Sequence, residues 1–270
     1  MIIRKTRPEE GKRVNTLFAI AFEQPMENGP GEEPGVTNWG AFEGETMFST
    51  FAVTDFTQLF DGNQVKMGGI GGVATLPSHR RKGGIRGIFQ AALADMYENG
   101  YEISYLYPFS TAYYRKFGYE NCVNRQNVTV DLGLLSPRKV ETDCVLAEQG
   151  SDLRGAIREL DAVWEQTYNM AVRHGEKDYA WVTKADPAVK QQFLYVCFDR
   201  EKRPLAYTQF HLENQTDGRN LVCSRFCFRN RKGFDGLMNL FKGFSADHRF
   251  LKFYLPEDSA MGYLLPEWSM

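Results

Sequence analysis

No stretch of this sequence approaches the ~20 uncharged apolar residues that a membrane-spanning helix needs. The N-terminus, "MIIRKTRPEEGKRV", lacks the apolar core of a secretory signal. These two absences predict a cytoplasmic protein with no membrane partner. A basic excess is also lacking, since 32 Lys and Arg face 34 Asp and Glu, a formal net charge of −2. That argues against nucleic acid as a partner, because binding to phosphate backbones requires clear positive charge. Histidine is scarce, with 4 residues, and the 5 cysteines form no C-x-x-C pair. No metal site is expected, and the odd cysteine count fits thiols kept reduced. Cys223 and Cys227, four apart in "LVCSRFCFRN", are expected on one face of a strand, packed as small hydrophobes.

What is present is an ordinary globular composition, 43% apolar and 24% charged over 270 residues. The length predicts two domains, and "SPRKVETDC" marks a boundary that gives residues 1–135 and 136–270. The chain opens with a short strand and a helix, on which Val14, Leu17, Phe18 and Phe22 share a face. The Gly-, Pro- and Glu-rich segment that follows, "EQPMENGPGEEPGVTNWGAFEGETM", reads as a long surface loop. Two strands then meet at a turn over Asp61-Gly62-Asn63. After Pro77 the period changes. Ile85, Ile88, Phe89, Ala92, Leu93 and Met96 follow helical spacing, and Gly100 is placed to end that helix. "YEISYLYPF" reads as a strand, "STAYYRKFGY" as a short helix and "NCVNRQNVTVDLGLL" as a strand leaving the domain. The second half repeats the theme: a helix, a hairpin, then a strand, a basic glycine turn and a helix in "NLVCSRFCFRNRKGFDGLMNLFKGF". Gly233 there stands against Gly83 in a weak internal repeat.

The most informative stretch is "GGVATLPSHRRKGGIRGIFQAAL", Gly71 to Leu93. Helix N-termini present unpaired N–H groups and a partial positive charge, so they attract anions. Gly83 and Gly84 let a ligand approach the backbone, and Arg80, Arg81, Lys82 and Arg86 add cations. The expected ligand is a phosphate or pyrophosphate. The pattern G-x-x-x-x-G-K-[ST] is absent, which excludes a P-loop. "GIGGVA" matches a dinucleotide fingerprint, but Pro77 follows where a helix would have to open.

The order strand, R-x-x-G-x, helix resembles motif A of the GNAT acyltransferases, with Arg80, Gly83 and Ile85 at the motif positions. Ile85 replaces the usual small residue, and "VATLPSHRRKGGIRG" is similar to the Eis-like (enhanced intracellular survival) branch, where a larger apolar residue is usual there. "STAYYRKFGYENC" resembles the family's Y-x-x-x-G-[FY] signature, with Tyr114, Gly118 and Tyr119 in register. The resemblance implies an α/β (α+β) fold of tandem GNAT-type mixed β-sheets flanked by helices, the second copy degenerate and without cofactor. It further implies that the chain lacks a C-terminal sterol-carrier-like domain, whose terminal carboxylate is the base attributed to that branch.

Acetyl-CoA is the implied cosubstrate. Its pyrophosphate would rest on the N–H groups and side chains of Arg80, Arg81, Lys82, Gly83, Gly84, Ile85 and Arg86. Its pantetheine arm would lie along Val73, Ala74 and Thr75. Tyr114 is the implied general acid for the leaving thiolate. An acidic lip at Glu23, Glu27 and Glu43 is expected to attract a primary amine of the polyamine, aminoglycoside or lysine type, and Glu32 and Glu33 are further candidates for the base. The family resemblance also implies a homo-oligomer, a hexamer. An acyl-CoA sensor or scaffold without efficient turnover is the alternative.

Overall fold

The computed structural model describes residues 1–25, 34–148, 151–180, 182, 187–190, 192–216 and 218–259. The chain divides into two compact units, Met1–Asn121 and Cys122–Met270. This division falls earlier than the boundary expected near Ser136. The strand Arg125–Asp131 pairs along its length with Phe250–Pro256, which ties it to the second sheet.

In the first unit β1 (Ile2–Lys5) leads into α1 (Gly11–Phe22), followed by β2 (Val36–Glu43), β3 (Thr46–Phe60), β4 (Asn63–Thr75), α2 (Gly84–Glu98), β5 (Ile103–Leu106) and the short α3 (Thr111–Tyr114). The sheet order is β1-β2-β3-β4-β5. Neighbours are antiparallel except β4 and β5, which run parallel. The helical spacing read from sequence is realised except at Phe22, which ends α1 and is 47% exposed. Val14, Leu17 and Phe18 of α1 are buried with Phe42, Met47 and Ala74 on one face. Ile85, Ile88, Phe89, Ala92 and Met96 of α2 pack with Trp39, Phe51, Val53 and Ile70 on the other. Burying each such large side chain is worth about 1.5–3 kcal/mol, so the two helices hold the sheet between them.

β2 corrects the sequence reading, which placed Val36–Glu43 inside a surface loop. Residues 40–42 are buried on both faces, so the period-two alternation that marks a half-exposed strand is missing. The Asp61–Gly62 turn is as expected, with φ of 46° and 76° joining β3 to β4.

The second unit contains β6 (Arg125–Asp131), β7 (Asp143–Leu146), α4 (Arg154–Thr167), the two-residue β8 (Val172–Arg173), the single-turn α5 (Pro187–Lys190), β9 (Gln192–Phe198), β10 (Pro204–Gln215), β11 (Gly218–Phe228), α6 (Arg231–Lys242) and β12 (Phe250–Pro256). Its sheet order is β6-β12-β11-β10-β9-β7. α6 covers one face through Phe234, Leu237, Met238 and Phe241, and α4 the other through Ile157 and Leu160. Each unit therefore contains a strand, a helix and a strand parallel to the first: β4-α2-β5 and β11-α6-β12. The expected mixed sheets flanked by helices are present in both halves.

Two cysteine expectations change. Ser224 bulges out of β11, since Gln209 pairs with Arg225 and Phe210 with Cys223. One extra residue shifts every later side chain to the opposite face. Cys223 therefore packs among α6 residues and Cys227 among α4 residues, not on one face. Cys144 and Cys197 are directly opposed on β7 and β9 and joined by a disulfide, contrary to the all-reduced expectation. They stand 53 positions apart in the chain, so only the sheet register brings them together.

The glycine repeat also needs correction. Gly83 is the N-cap of α2, whereas Asn230 caps α6 and Gly233 lies inside its first turn. A Cβ on Gly233 would stand 2.3 Å from the Leu205 carbonyl oxygen. Backbone cannot yield as a side chain would. Gly233→Ala is expected to destabilise the second unit by roughly 2–4 kcal/mol, read as a lower urea midpoint with unchanged slope.

Candidate active site

β4 and β5 are paired only from Met67 to Ile70 with Ile103 to Leu106. β4 then continues to Thr75 against β3 alone, and its other edge opens. At this point the ladder is also irregular: Thr50 pairs with Ala74 and Ala52 with Gly71, so Gly72 and Val73 together oppose Phe51. Gly72 has φ +64°. The bulge kinks β4 within the opening and leaves main-chain groups there without a ladder partner. Ala74 is buried, while Val73 and Thr75 are half-buried. The Thr75 hydroxyl is 2.9 Å from that of Ser49, which fixes the strand end to β3.

The chain leaves β4 through a turn started by Pro77, and His79 stacks on Phe48 at 5.0 Å between ring centroids. Arg81 has φ +67° and Gly83 φ +83°. A left-handed N-cap suits glycine, and here it also leaves the cap without a side chain. A Cβ on Gly84 would meet Ser49 Oγ at 2.5 Å, so glycine lets the helix start close against β3. The first helical bond of α2 runs from Gly87 N–H to the Gly83 carbonyl. The N–H groups of Arg81, Gly83, Gly84, Ile85 and Arg86 have no partner among the described residues. The Ile85 side chain points into the core beside Phe89, so its bulk stays away from these donors.

Arg80, Arg81, Lys82 and Arg86 are all exposed. Among the described residues none of these four side chains makes an ion pair or hydrogen bond, so they are available to an anion. The corresponding turn of the second unit is satisfied from within. Asn230 Oδ1 accepts from Gly233 N–H at 3.0 Å, and Arg231 is paired with Asp235, which also holds Arg138 at 2.5 Å. The same strand–turn–helix element thus has its N-cap filled by Asn230 and its first arginine neutralised by Asp235 in the second unit, whereas the first unit leaves both unpaired.

Tyr114 follows β5, at the end of α3, and is 4% exposed. Phe89, Phe109, Tyr113 and Tyr119 surround its ring. Burial pushes its pKa up to about 12, assisted by the neighbouring Tyr113 and Tyr119. Its hydroxyl bonds to no described residue. It is therefore a neutral phenol at physiological pH with a proton free to donate. Gly118 turns the chain at φ +89°, and the Tyr119 hydroxyl is held 2.6 Å from Ser104 Oγ of β5. The sequence reading did not single out Phe109, which is 73% exposed beside Tyr113 and Tyr114. The aromatic run "LYPFSTAYY" carried that signal.

The acidic candidates are dispersed. Glu43 ends β2 and lies 3.4 Å from His79, beside the basic turn. Glu23 follows α1 in a left-handed conformation and has no ion pair among the described residues. Glu27, Glu32 and Glu33 lie outside the described residues. No group of three or more His, Cys, Asp or Glu suited to a metal occurs among the described residues. No helix among them is long and apolar enough to cross a membrane.

Residues 2–122 match the family model of the acetyltransferase (GNAT) domain. Solved structures share the fold of nearly the whole chain. A conserved protein from Enterococcus faecalis V583, described as a probable N-acyltransferase, is 21% identical with a TM-score of 0.84, over 98% of this chain and 68% of its own. A GCN5-related N-acetyltransferase from Anabaena variabilis is 17% identical with a TM-score of 0.85, over 98% and 69%. Eis1 from Mycobacterium abscessus is 17% identical with a TM-score of 0.78, over 99% and 69%. No curated protein sequence matches this chain. The first unit matches a GNAT acetyltransferase domain along nearly its whole length. That domain match supports an acyltransferase enzyme.

Proposed function

We propose that the protein transfers an acetyl group from acetyl-CoA to a primary amine, with both substrates held together on the first unit. The observation that carries this is the set of N–H donors of Arg81, Gly83, Gly84, Ile85 and Arg86 without a partner among the described residues, beside four unpaired cations and an open strand edge. That donor set fits a pyrophosphate joined to an amide-bearing arm. Arg80, Arg81, Lys82 and Arg86 with the N–H groups of Gly83, Gly84 and Ile85 would hold the pyrophosphate. The open edge at Val73, Ala74 and Thr75 would bind the arm. The cosubstrate supplies an acyl group already activated as a thioester. Tyr114 keeps its proton because of burial and supplies it to the departing sulfur. Holding both reactants on one surface provides the proximity contribution to the rate.

The acceptor is an ammonium in water and must lose a proton before it attacks, since its pKa is about 10. Glu23, Glu27 and Glu43 are the proposed attractors of this cation, directly or through water. Polyamines, aminoglycosides and lysine side chains fit such an acidic rim. The whole-chain likeness in fold to Eis1, together with "VATLPSHRRKGGIRG", supports placement in the Eis-like branch, with a cytoplasmic location and a homo-oligomer, a hexamer, as further parts of this reading. The test is thiol release from acetyl-CoA across polyamines, aminoglycosides, amino acids and a lysine peptide. Release that depends on one class supports the reading and names the acceptor. Binding of acetyl-CoA without release on any amine would favour the sensor alternative.

A further inference from the structure

The second unit contains a cavity of about 840 Å³, within the usual range for small-molecule sites. All of its lining comes from this unit, between Cys122 and Asp258. Its position follows from topology. β11 and β12 pair only from Asn220 to Val222 with Phe250 to Lys252, and then diverge. Arg225, Phe226 and Cys227 on one strand and Tyr254, Leu255 and Pro256 on the other form two walls, and α4 supplies a third. This is the same opening that β4 and β5 make in the first unit, but with different chemistry, because the turn before α6 is capped by Asn230 and Arg231 is paired with Asp235.

Asp161 of α4 lines this cavity and is 6% exposed. Tyr207 donates a hydrogen bond to its Oδ1 at 2.6 Å. The Tyr179 hydroxyl approaches the same carboxylate, yet Oδ2 is buried with no hydrogen bond of good geometry among the described residues. A buried carboxylate oxygen without a donor is costly, and burial pushes the Asp161 pKa up, opposed in part by Tyr207, His174 and Arg225. Glu165, one turn further along α4, holds His174 at 2.9 Å. In the lining as a whole four carboxylates, Asp161, Glu165, Glu257 and Asp258, face two arginines, Arg125 and Arg225. The Arg125 guanidinium lies over the Tyr254 ring at 4.0 Å. Trp164 and Tyr168 add aromatic surface, and Trp164 is fixed by its Nε1–H, which donates to the Phe228 carbonyl at 2.7 Å. Aromatic faces around an unsatisfied carboxylate suit an ammonium ion attached to an apolar body.

We propose that the cavity between the diverging ends of β11 and β12 is a second ligand site, specific for an organic ammonium ion carried on an aromatic or branched apolar group. The ammonium pairs with the Asp161 carboxylate and the apolar body lies against Trp164, Tyr168 and Phe226. The site does not depend on acetyl transfer by the first unit.

The test is calorimetric titration of the full chain with phenethylammonium chloride in the absence of acetyl-CoA, with phenethyl alcohol as the uncharged counterpart and the Trp164 indole N–H resonance as a local reporter. Saturable binding of the ammonium that shifts the Trp164 resonance is expected, with the alcohol weaker by about tenfold or more, since a charge-assisted bond is lost. Asp161→Asn should reduce ammonium affinity by a similar factor and leave thiol release by the first unit unchanged. Equal affinity for ammonium and alcohol, ammonium binding unaffected in Asp161→Asn, or saturation without movement of the Trp164 resonance would each overturn the proposal. Absence of any saturable binding would also overturn it. The comparison of the two ligands is made on the unaltered protein, so it decides the matter even if the variant fails to fold.

Discussion

Tyr114→Phe is expected to lower kcat by about a hundredfold or more while leaving acetyl-CoA affinity nearly unchanged, because a positioned general acid contributes 10²–10⁴-fold. The substitution removes one oxygen and keeps the ring. The ring contacts with Phe89, Phe109, Tyr113 and Tyr119 therefore survive, and thermal stability should stay close to that of the unaltered protein. The pH dependence gives a second check. The acid works only when protonated, and burial raises its pKa to about 12. Its ionisation thus removes activity only on approach to that pH. Between about pH 7 and 10 the rate should rise or hold as the acceptor amine loses its proton, with no loss due to the phenol. A steep fall of kcat near the ordinary phenol pKa, abolished in Tyr114→Phe, would contradict the environment described for this residue. Unchanged turnover in Tyr114→Phe would move the proton donor elsewhere.

Arg81→Glu should weaken acetyl-CoA binding by about 10–100-fold, the expected consequence of losing one charge-assisted hydrogen bond and placing like charge beside a phosphate. The position isolates binding from folding. Arg81 is exposed, has no ion pair among the described residues, and already holds a left-handed backbone that glutamate tolerates no worse than arginine. Circular dichroism and the melting temperature should be unchanged. Affinity should also fall with added salt in the unaltered protein and much less in the variant, since exposed charges are screened. Unaltered affinity for acetyl-CoA in Arg81→Glu would remove the pyrophosphate from this turn.

The legible parts of this protein were the local ones. The 3.6-residue spacing of Ile85, Ile88, Phe89, Ala92 and Met96 places α2 and its buried face, because only neighbours within two turns set that pattern. Asp61–Gly62 marks its turn for the same reason. The basic stretch at Arg80–Arg86 announces an anion, and the structure brings its unpaired donors to the edge that opens beside Val73–Thr75. Tyr114 carries a weaker signal. Most tyrosines in an aromatic cluster pack, and only the Y-x-x-x-G-[FY] register after the basic turn set Tyr114 apart.

The remainder was not legible because it depends on partners far away in the chain. β2 is hidden because burial on both faces erases alternation, and what makes it a strand is pairing with β1 and β3. Spacing places Cys223 and Cys227 on one face, but the bulge at Ser224 is set by the match of β11 to β10. The Cys144–Cys197 bond depends on the register between β7 and β9. By itself the sequence determined the helix faces, the hairpin turns and the basic, glycine-rich character of the turn before α2, since each rests on residues close together in the chain. Only the tertiary structure decided that the second copy of that turn is capped by Asn230 and paired with Asp235, and that the diverging strands beside it enclose Asp161, because strand pairing over long separations fixes which side chains share a cavity.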